Sequence, residues 1–309
     1  MRAAPHKPTV AAEPSAVEIV GLSKFYGNSR GVEGLSFNVE GGTVFGFLGP
    51  NGAGKTTTIR LLLDLIRPSA GEARVLGHDV NRESLAVRRL CGYLPGDLHL
   101  PERERAGNLL SHLSRLRGQS CEREIEELSD RLGLDLRRRI GDLSKGNRQK
   151  VGIVAAFMHD PQLLILDEPT SGLDPLRQRD VQALIAERAS AGRTVFLSSH
   201  ALEQVEHVAE KVGIIREGRL VAVEQVSALR QRALRRVEVR FAGGVPAGLD
   251  RIHGVSNLTV EGSLVRMDIE GSMDSLIKAV AIHEVRTLSS ERPELDEIFL
   301  AYYGETDGA

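Results

Sequence analysis

One short segment of the chain combines glycines, a lysine and a threonine at a spacing that can bind phosphate. Residues 49–57 read GPNGAGKTT, and Gly49, Gly54, Lys55 and Thr56 occupy the fixed positions of the pattern G-x-x-x-x-G-K-[ST]. Glycines let successive backbone N–H groups curl around phosphate oxygens, and a helix that starts there adds partial positive charge. Lys55 would reach the β- and γ-phosphates of a nucleotide, and Thr56 would hold Mg²⁺. A glycine-rich turn without a ligand is the alternative, and the strand before the loop and the helix after it favour phosphate binding. The predicted phosphate-binding residues are Gly49, Pro50, Asn51, Gly52, Ala53, Gly54, Lys55, Thr56 and Thr57.

Three further polar residues follow apolar runs that are typical of buried strands. The run LLIL ends in Asp167, and a carboxylate at that position lies near the Mg²⁺ of a nucleotide. Glu168 would lie just beyond the strand and polarise the attacking water. His200 ends the next predicted strand, so it should emerge on the same sheet edge and contact the γ-phosphate. Taken alone, the acidic pair could simply cap a strand, and the histidine could be a surface or core residue. Combined with the phosphate loop, the three predict nucleotide hydrolysis.

Strand-like and helix-like segments alternate along most of the chain, which indicates an α/β fold with a helical insertion. The pattern changes near residue 232, after which short strands and two helices suggest a small α+β module. We therefore expect a disordered tail (1–16), a nucleotide-binding domain (17–232) with a helical subdomain at about 97–158, and a small α+β C-terminal domain (233–309). The predicted strands lie at 16–22, 35–40, 43–49, 162–169, 193–200, 237–241, 257–262, 264–271 and 285–290, a hairpin closed by Glu217 and Gly218 at 211–223, and the principal helices at 55–66, 102–158, 273–284 and 294–304.

Composition and charge narrow the function classes. The 309 residues carry a formal net charge of −2, with 41% hydrophobic and 27% charged residues, which is ordinary for a soluble globular protein and gives no overall preference for nucleic acid. No apolar run approaches the roughly 18–20 residues of a membrane-spanning helix, and the N-terminus lacks the apolar core of a signal peptide. Cys91 and Cys121 share no metal-type or redox-type spacing, which favours reduced thiols in the cytosol.

A basic stretch, RRRIGDLSKGNRQK at residues 137–150, allows two interpretations. Its six basic residues could contact a polyanion, or the stretch could begin a helix that contacts one phosphate. Ser144 suits a helix N-cap, and Gly146 permits close backbone approach at a helix start. The apolar stripe that follows predicts a helix buried on one side; it consists of Val151, Val154, Ala155 and Met158.

With these residues in place, the chain resembles the ATP-binding subunit of an ABC transporter of the drug- or antibiotic-exporter type, over roughly residues 17–229. The motifs that carry the resemblance are, in chain order, Tyr26 in LSKFYG, the phosphate loop, the L-S-x-G signature in LSKGN, the strand ending in Asp167 and Glu168, the D-loop SGLD (Ser171 to Asp174) and the switch histidine His200.

The resemblance implies a P-loop NTPase of the ABC ATPase fold that hydrolyses ATP with Mg²⁺. It implies that two nucleotide-binding subunits, identical or different, work head to tail, with ATP between the phosphate loop of one and the signature of the other. In that arrangement Tyr26 stacks on adenine, and Ser144, Gly146 and Asn147 contact the ATP bound by the other subunit, with Asp174 in the D-loop. It further implies transmembrane permease partners, no nucleic acid, and a peripheral location on the cytoplasmic side of the membrane.

Two positions depart from the usual family pattern. Family members carry a glutamine that meets Mg²⁺, and here Gly96 stands at its place with Asp97 next. Either Asp97 substitutes as a metal ligand or the ion is held without one. The usual signature reads Leu-Ser-Gly-Gly-Gln, whereas this chain has Lys145 at the first glycine, and the sequence does not decide what the lysine contacts.

Three other functions compete with an exporter ATPase. An importer ATPase with an effector-sensing C-terminal domain is one, although the ending RTLSSERPELDEIFLAYYG resembles the C-terminal extension of exporting ATPases. A soluble ABC ATPase of ribosomes or DNA repair is another, but the first has two cassettes in one chain and the second a long coiled coil before the signature. A P-loop kinase lacks the L-S-x-G signature.

Overall fold

A computed structural model describes residues 15–232 and 235–291 of the chain. The first strand begins at Ser15, so Ser15 and Ala16 lie in a sheet and not in the tail that we expected over residues 1–16. The predicted final helix (294–304) lies outside the described residues. The elements are, in chain order, β1 (Ser15–Tyr26), β2 (Ser29–Glu40), β3 (Val44–Leu48), α1 (Lys55–Leu62), β4 (Ala70–Val75), β5 (His78–Asp79), α2 (Ser84–Leu90), β6 (Cys91–Leu94), α3 (Ala106–Leu116), α4 (Glu122–Leu132), α5 (Lys145–Phe157), β7 (Leu163–Asp167), α6 (Pro175–Ser190), β8 (Thr194–Ser199), α7 (Leu202–Val205), β9 (Lys211–Arg216), β10 (Arg219–Gln225), α8 (Val226–Arg232), β11 (Arg235–Phe241), β12 (Val255–Glu261), β13 (Leu264–Ile269), α9 (Asp274–Val280) and β14 (Val285–Glu291).

A six-stranded sheet of order β10-β9-β3-β8-β7-β6 positions the predicted site. Strands β3, β6, β7, β8 and β9 pair in parallel, and β10 returns antiparallel to β9. Every residue of β3, β7 and β8 is buried, as expected for parallel strands covered on both faces. Because the carboxyl ends of parallel strands lie at the same edge of a sheet, the segments that follow β3, β7 and β8 lie close together there. This edge holds the phosphate loop, Glu168 and His200.

A second sheet, of order β2-β1-β4-β5, lies beside the first and is antiparallel throughout. Phenylalanines connect the two sheets in a stack: Phe37 of β2 lies 5.5 Å, between ring centroids, from both Phe45 and Phe47 of β3. Phe196 of β8 continues the stack, 5.7 Å from Phe45. Offset aromatic pairs of this kind fix the relative position of packed layers. Strand β1 ends at Tyr26, which lines one cleft together with residues of the phosphate loop.

Helices α3, α4 and α5 form the helical part of the nucleotide-binding region, within the expected range 97–158. Our prediction that α5 is buried on one side is wrong. From Gln149 to Val154 every residue is buried, and Ala156 and Phe157 are buried as well. Helix α5 is enclosed because it contacts β6 on one side and α3 and α4 on others. Helix α1 is also shorter than predicted, since it ends at Leu62 and Asp64 takes a left-handed φ of 53°.

The residues from Arg235 to Glu291 build a four-stranded antiparallel sheet of order β12-β13-β11-β14. Alternate residues of β11 point into a separate apolar core, to which Leu276 and Val280 of α9 contribute. This is the α+β organisation that the sequence predicts for the region. None of the helices in the described part of the chain has both the length and the apolar composition of a membrane span.

Candidate nucleotide-binding and hydrolysis site

The phosphate loop is a tight turn between β3 and α1. Gly52 and Gly54 take left-handed φ angles of 80° and 111°, and Gly54 forms the N-cap of α1. A Cβ at Gly54 would lie 2.8 Å from the carbonyl oxygen of Gly31, so no larger residue fits without moving the backbone. The loop and the N-terminus of α1, whose first N–H groups have no partner within the helix, line one cleft, which is a ready anion site.

Lys55 is buried in this loop, with its side chain 6% exposed. Its ammonium Nζ donates to the carbonyl oxygens of Gly49 (2.5 Å) and Pro50 (3.2 Å), and it lies 3.5 Å from Oε1 of Glu168. A buried cation requires such partners because desolvation penalises an unpaired charge. Lys55 is therefore held beside the cleft in which phosphates would bind.

Thr56 and Asp167 meet as the sequence predicts. The Thr56 hydroxyl donates to Oδ2 of Asp167 at 2.7 Å, and the Ser198 hydroxyl donates to Oδ1 of the same carboxylate. Asp167 is 1% exposed. The described residues contain no group of three or more His, Cys, Asp or Glu side chains placed to hold a metal. Mg²⁺ commonly binds one or two protein oxygens together with substrate phosphates, so a hydroxyl next to a carboxylate fits it.

Glu168 follows directly and has an unusual backbone, with φ of +52°. Its Oε2 lies 2.9 Å from Nδ1 of His200, as the shared sheet edge predicts. Its Oε1 is buried and has no hydrogen-bond partner in the described structure, with the Lys55 ammonium 3.5 Å away. A buried carboxylate oxygen with free acceptor capacity can accept a proton from, or orient, a water molecule.

Tyr93 of β6 lies close enough to Asp167 for the carboxylate to influence its ionisation. Burial, together with the charge of Asp167, raises the pKa of Tyr93 to about 12, and the charge of Arg60 opposes this shift. A cation or Mg²⁺ at this sheet edge would balance the charge of Asp167.

Tyr26 stands at the mouth of a cleft of about 330 Å³ and is 48% exposed. The Lys24 ammonium lies 5.3 Å from its ring centroid. One face of an exposed aromatic ring suits stacking on a base. The cleft also includes Arg30 and Gly31, which we did not predict, since no motif marks them and only the pairing of β1 with β2 brings them there. The residues lining the cleft are Tyr26, Arg30, Gly31, Pro50, Asn51, Gly52, Gly54, Lys55, Thr56, Thr57, Asp167 and Glu168.

The signature segment does not line this cleft. Ser144 is the N-cap of α5, as predicted, and its hydroxyl accepts from the backbone N–H of Asn147 at 3.3 Å. Gly146 is required by an internal contact, because a Cβ there would lie 2.7 Å from the carbonyl oxygen of Gly172 in the D-loop. The side-chain methylenes of Lys145 lie over the same Gly172, with Cγ and Cδ 3.5 Å from the position of a Cβ there. Asp174 caps α6, accepting from the backbone N–H groups of Leu176 and Arg177 at 3.1 Å each.

The structure does not bring Asp97 to Thr56 and Asp167, the predicted Mg²⁺ ligands. Gly96 does lie there, since a Cβ on it would be 3.0 Å from Oδ2 of Asp167. The Asp97 side chain is 83% exposed and pairs with His99 at 3.7 Å. The expectation that Asp97 replaces the missing glutamine therefore finds no support in the geometry.

Comparison with known proteins gives the same family as the motifs. The family model described as ABC transporter matches residues 32–171. The daunorubicin/doxorubicin resistance ATP-binding protein DrrA of Streptomyces peucetius is 38% identical over 307 residues, covering 94% of this chain and 92% of that protein. The bacitracin transport ATP-binding protein BcrA of Bacillus licheniformis is 34% identical over 285 residues, covering 84% and 91%. A solved structure of an ATP-binding subunit of an ABC transporter is 31% identical with a TM-score of 0.66, covering 70% of this chain and 92% of that one. The chain therefore belongs to the ATP-binding proteins of the ABC transporter family, and it binds and hydrolyses ATP.

Proposed function

We propose that this chain is the ATPase subunit of an ABC exporter and powers efflux of a drug, antibiotic or other amphiphile through separate transmembrane permease subunits. The observation that carries this proposal is the extent of similarity to DrrA, which covers 94% of the chain and therefore includes most of the region after residue 232. The C-terminal α+β module is thus shared with a drug-resistance protein, which favours an exporter over an importer with an effector-sensing domain. The chain would act at the cytoplasmic face of the membrane.

The phosphate loop and the residues around it would bind ATP. Tyr26 would stack on the base, and the loop of residues 49–57 would surround the phosphates. Lys55 exchanges its carbonyl partners for phosphate oxygens. Thr56 and Asp167 would hold Mg²⁺, which neutralises charge on the phosphates when it is bound.

Glu168 would act as the general base of hydrolysis. Its Oε1 is the buried oxygen without a hydrogen bond, and its Oε2 is oriented by His200. Fixed by these neighbours, the carboxylate can polarise a water molecule for attack on the γ-phosphate, while His200 contacts that phosphate. Phosphoryl transfer depends mainly on positioning and charge neutralisation, so such placement supplies most of what the reaction needs.

A second nucleotide-binding subunit would complete the site. The signature residues Ser144, Gly146 and Asn147 lie apart from the cleft of their own chain, at the N-terminus of α5. A helix N-terminus with a serine hydroxyl suits the γ-phosphate held by another subunit. Asp174 belongs to the D-loop that packs against this helix start. We propose a head-to-tail dimer of identical or related subunits.

The substitution Glu168→Gln tests the assignment of the base. It keeps the shape and removes the basic carboxylate, so kcat should fall by about 100-fold or more, whereas the Kd for ATP should stay within about threefold. Glu187→Gln is the matched control, because Glu187 pairs with Arg131 on the surface, and its kcat should not change. Undiminished hydrolysis by Glu168→Gln would refute the role of Glu168.

Export is tested in cells that contain the chain together with its transmembrane permease subunits. Resistance to an amphiphilic antibiotic and a lower intracellular level of that drug should both depend on Glu168. Uptake that requires a substrate-binding protein would instead support the importer.

A further inference from the structure

Gln149 connects the signature helix to the segment that carries the proposed base. Its side chain lies on the second turn of α5 and is buried, with 6% exposed. The amide Nε2 donates to the carbonyl oxygens of Glu168 (3.3 Å) and Pro169 (3.2 Å). Two successive carbonyls of the segment after β7 are thus held by one side chain.

The backbone at Glu168 needs such support. Its φ of +52° lies in the left-handed region, which non-glycine residues seldom adopt and which persists where surrounding contacts over-determine the conformation. The Glu168 N–H donates to the carbonyl and the hydroxyl oxygens of Ser198, at 3.2 Å each. The Glu168 carbonyl accepts from the backbone N–H of Ser171 at 3.1 Å and from the side-chain amide of Gln149. Among these contacts, Gln149 supplies the bonds that come from the signature helix.

The start of the same helix contacts the D-loop as well. Gly146 and the stem of Lys145 lie against Gly172, so the first turn of α5 touches the D-loop and the second turn holds the Glu168–Pro169 peptide. A movement of α5 would therefore displace the Glu168–Pro169 segment through the two hydrogen bonds of Gln149.

We propose that Gln149 is a positioning residue for Glu168 and that it links the signature helix to the base of the chain's own ATP site. This rests on the proposed function, in which Glu168 is the base and the signature contacts the ATP of the second subunit. Gln149 does not line the nucleotide cleft. Its amide fixes the strained peptide from which the Glu168 carboxylate projects toward Lys55 and His200.

The test is Gln149→Met in the full chain, a substitution that keeps the length of the side chain and removes its donor. A misplacement of reacting groups by 1 Å can slow a reaction by about 100-fold, and loss of the two bonds should cost about 10- to 30-fold in kcat. The Kd for ATP and the KM should remain within about twofold, because no ATP-binding residue is altered.

Arg148→Leu is the matched control on the same helix. Arg148 also donates to two backbone carbonyls, those of Ile140 (3.2 Å) and Gly141 (3.1 Å), but these lie in the segment before the signature and not in the segment after β7. Arg148→Leu should lower thermal stability to a degree similar to Gln149→Met and leave kcat within twofold of the wild type. If Gln149→Met does not fold, Gln149→Asn, which keeps the donor on a shorter side chain, should fold and still lower kcat severalfold.

A double substitution distinguishes positioning from general weakening of the fold. In single-turnover hydrolysis, Gln149→Met should not lower the residual rate of Glu168→Gln by more than twofold, because the group that it positions is already lost. Two results would overturn the inference while leaving the base assignment intact. One is a wild-type kcat in Gln149→Met. The other is an equal loss of rate from Gln149→Met in the wild-type and the Glu168→Gln backgrounds. Undiminished hydrolysis in Glu168→Gln would overturn both, because Gln149 would then have no base to position.

Discussion

Ser198→Ala should destabilise the protein through the buried carboxylate of Asp167. The Ser198 hydroxyl donates to Oδ1 of Asp167, and both side chains are almost fully buried, at 0% and 1% exposed. Hydrogen bonds to charged groups contribute about 1.5–3 kcal/mol, against about 0.5–1.5 kcal/mol for neutral ones. The Glu168 N–H also loses the Ser198 hydroxyl but keeps the Ser198 carbonyl at 3.2 Å, which adds little. We expect the free energy of unfolding to fall by about 2 kcal/mol.

Denaturant unfolding of the wild type, the two single variants and the double variant measures the Ser198–Asp167 interaction as a double-mutant cycle. Ser198→Ala is compared in the wild-type and the Asp167→Asn background, and its cost should fall by at least about 1 kcal/mol when the charge is gone. Ser199→Ala is the control, because Ser199 is equally buried but bonds only neutral groups, including Gln204 at 2.9 Å. Its cost should be the same in both backgrounds. A Ser198–Asp167 coupling below about 0.5 kcal/mol would refute the charged-bond argument.

Two further predictions concern Asp97, whose side chain is exposed, and His159, whose ring is partly buried. Asp97→Ala should leave the ATPase rate of the isolated chain within twofold, because the side chain is 83% exposed and faces His99; a large loss would return Asp97 to the metal site. Burial lowers the pKa of His159 from 6.5 to about 4, with the charge of Arg117 adding to the effect. Between these values the unfolded chain binds the proton and the folded chain does not, so stability should fall as the pH drops from 6.5 to 4 and show no such loss above 6.5. The full pKa shift corresponds to about 3 kcal/mol of stability, and part exposure of the ring reduces this to about 1–2 kcal/mol. Urea titrations measure the free energy of unfolding against pH, and His159→Gln should lack the decrease between pH 6.5 and 4. An unchanged decrease in this variant would assign the effect to another group.

The local pattern was sufficient to predict the parts of the site that are contiguous in sequence. The phosphate loop was predictable because glycines at fixed offsets, between an apolar strand and a helix, commonly bind phosphate. Asp167, Glu168 and His200 were predictable together because wholly apolar strands are typical of a parallel sheet, whose strands end at one edge. The hairpin turn also forms where predicted, with Glu217 and Gly218 at φ of 47° and 79°.

The rest depends on contacts between segments that are distant in the chain. The pattern of α5 shows one apolar stripe, but tertiary packing also encloses its polar side chains Gln149 and Lys150. Gly146 was predictable as a site of close approach, yet its neighbour is the Gly172 carbonyl of the same chain, which no local rule identifies. Ser198 has no motif of its own and becomes important only because β8 pairs with β7 and places it beside Asp167.

The position of His200 limits how it can take part in hydrolysis. Its Nδ1 lies 2.9 Å from Oε2 of Glu168, and a carboxylate oxygen can only accept, so Nδ1 carries the proton in this contact. In a neutral ring Nε2 is then an acceptor and cannot donate to a phosphate oxygen. Only the imidazolium can donate to Glu168 and to a phosphate at the same time. A neutral His200 that turned its donor to the phosphate would release Glu168, so the two roles proposed for this histidine can coexist only in its protonated form.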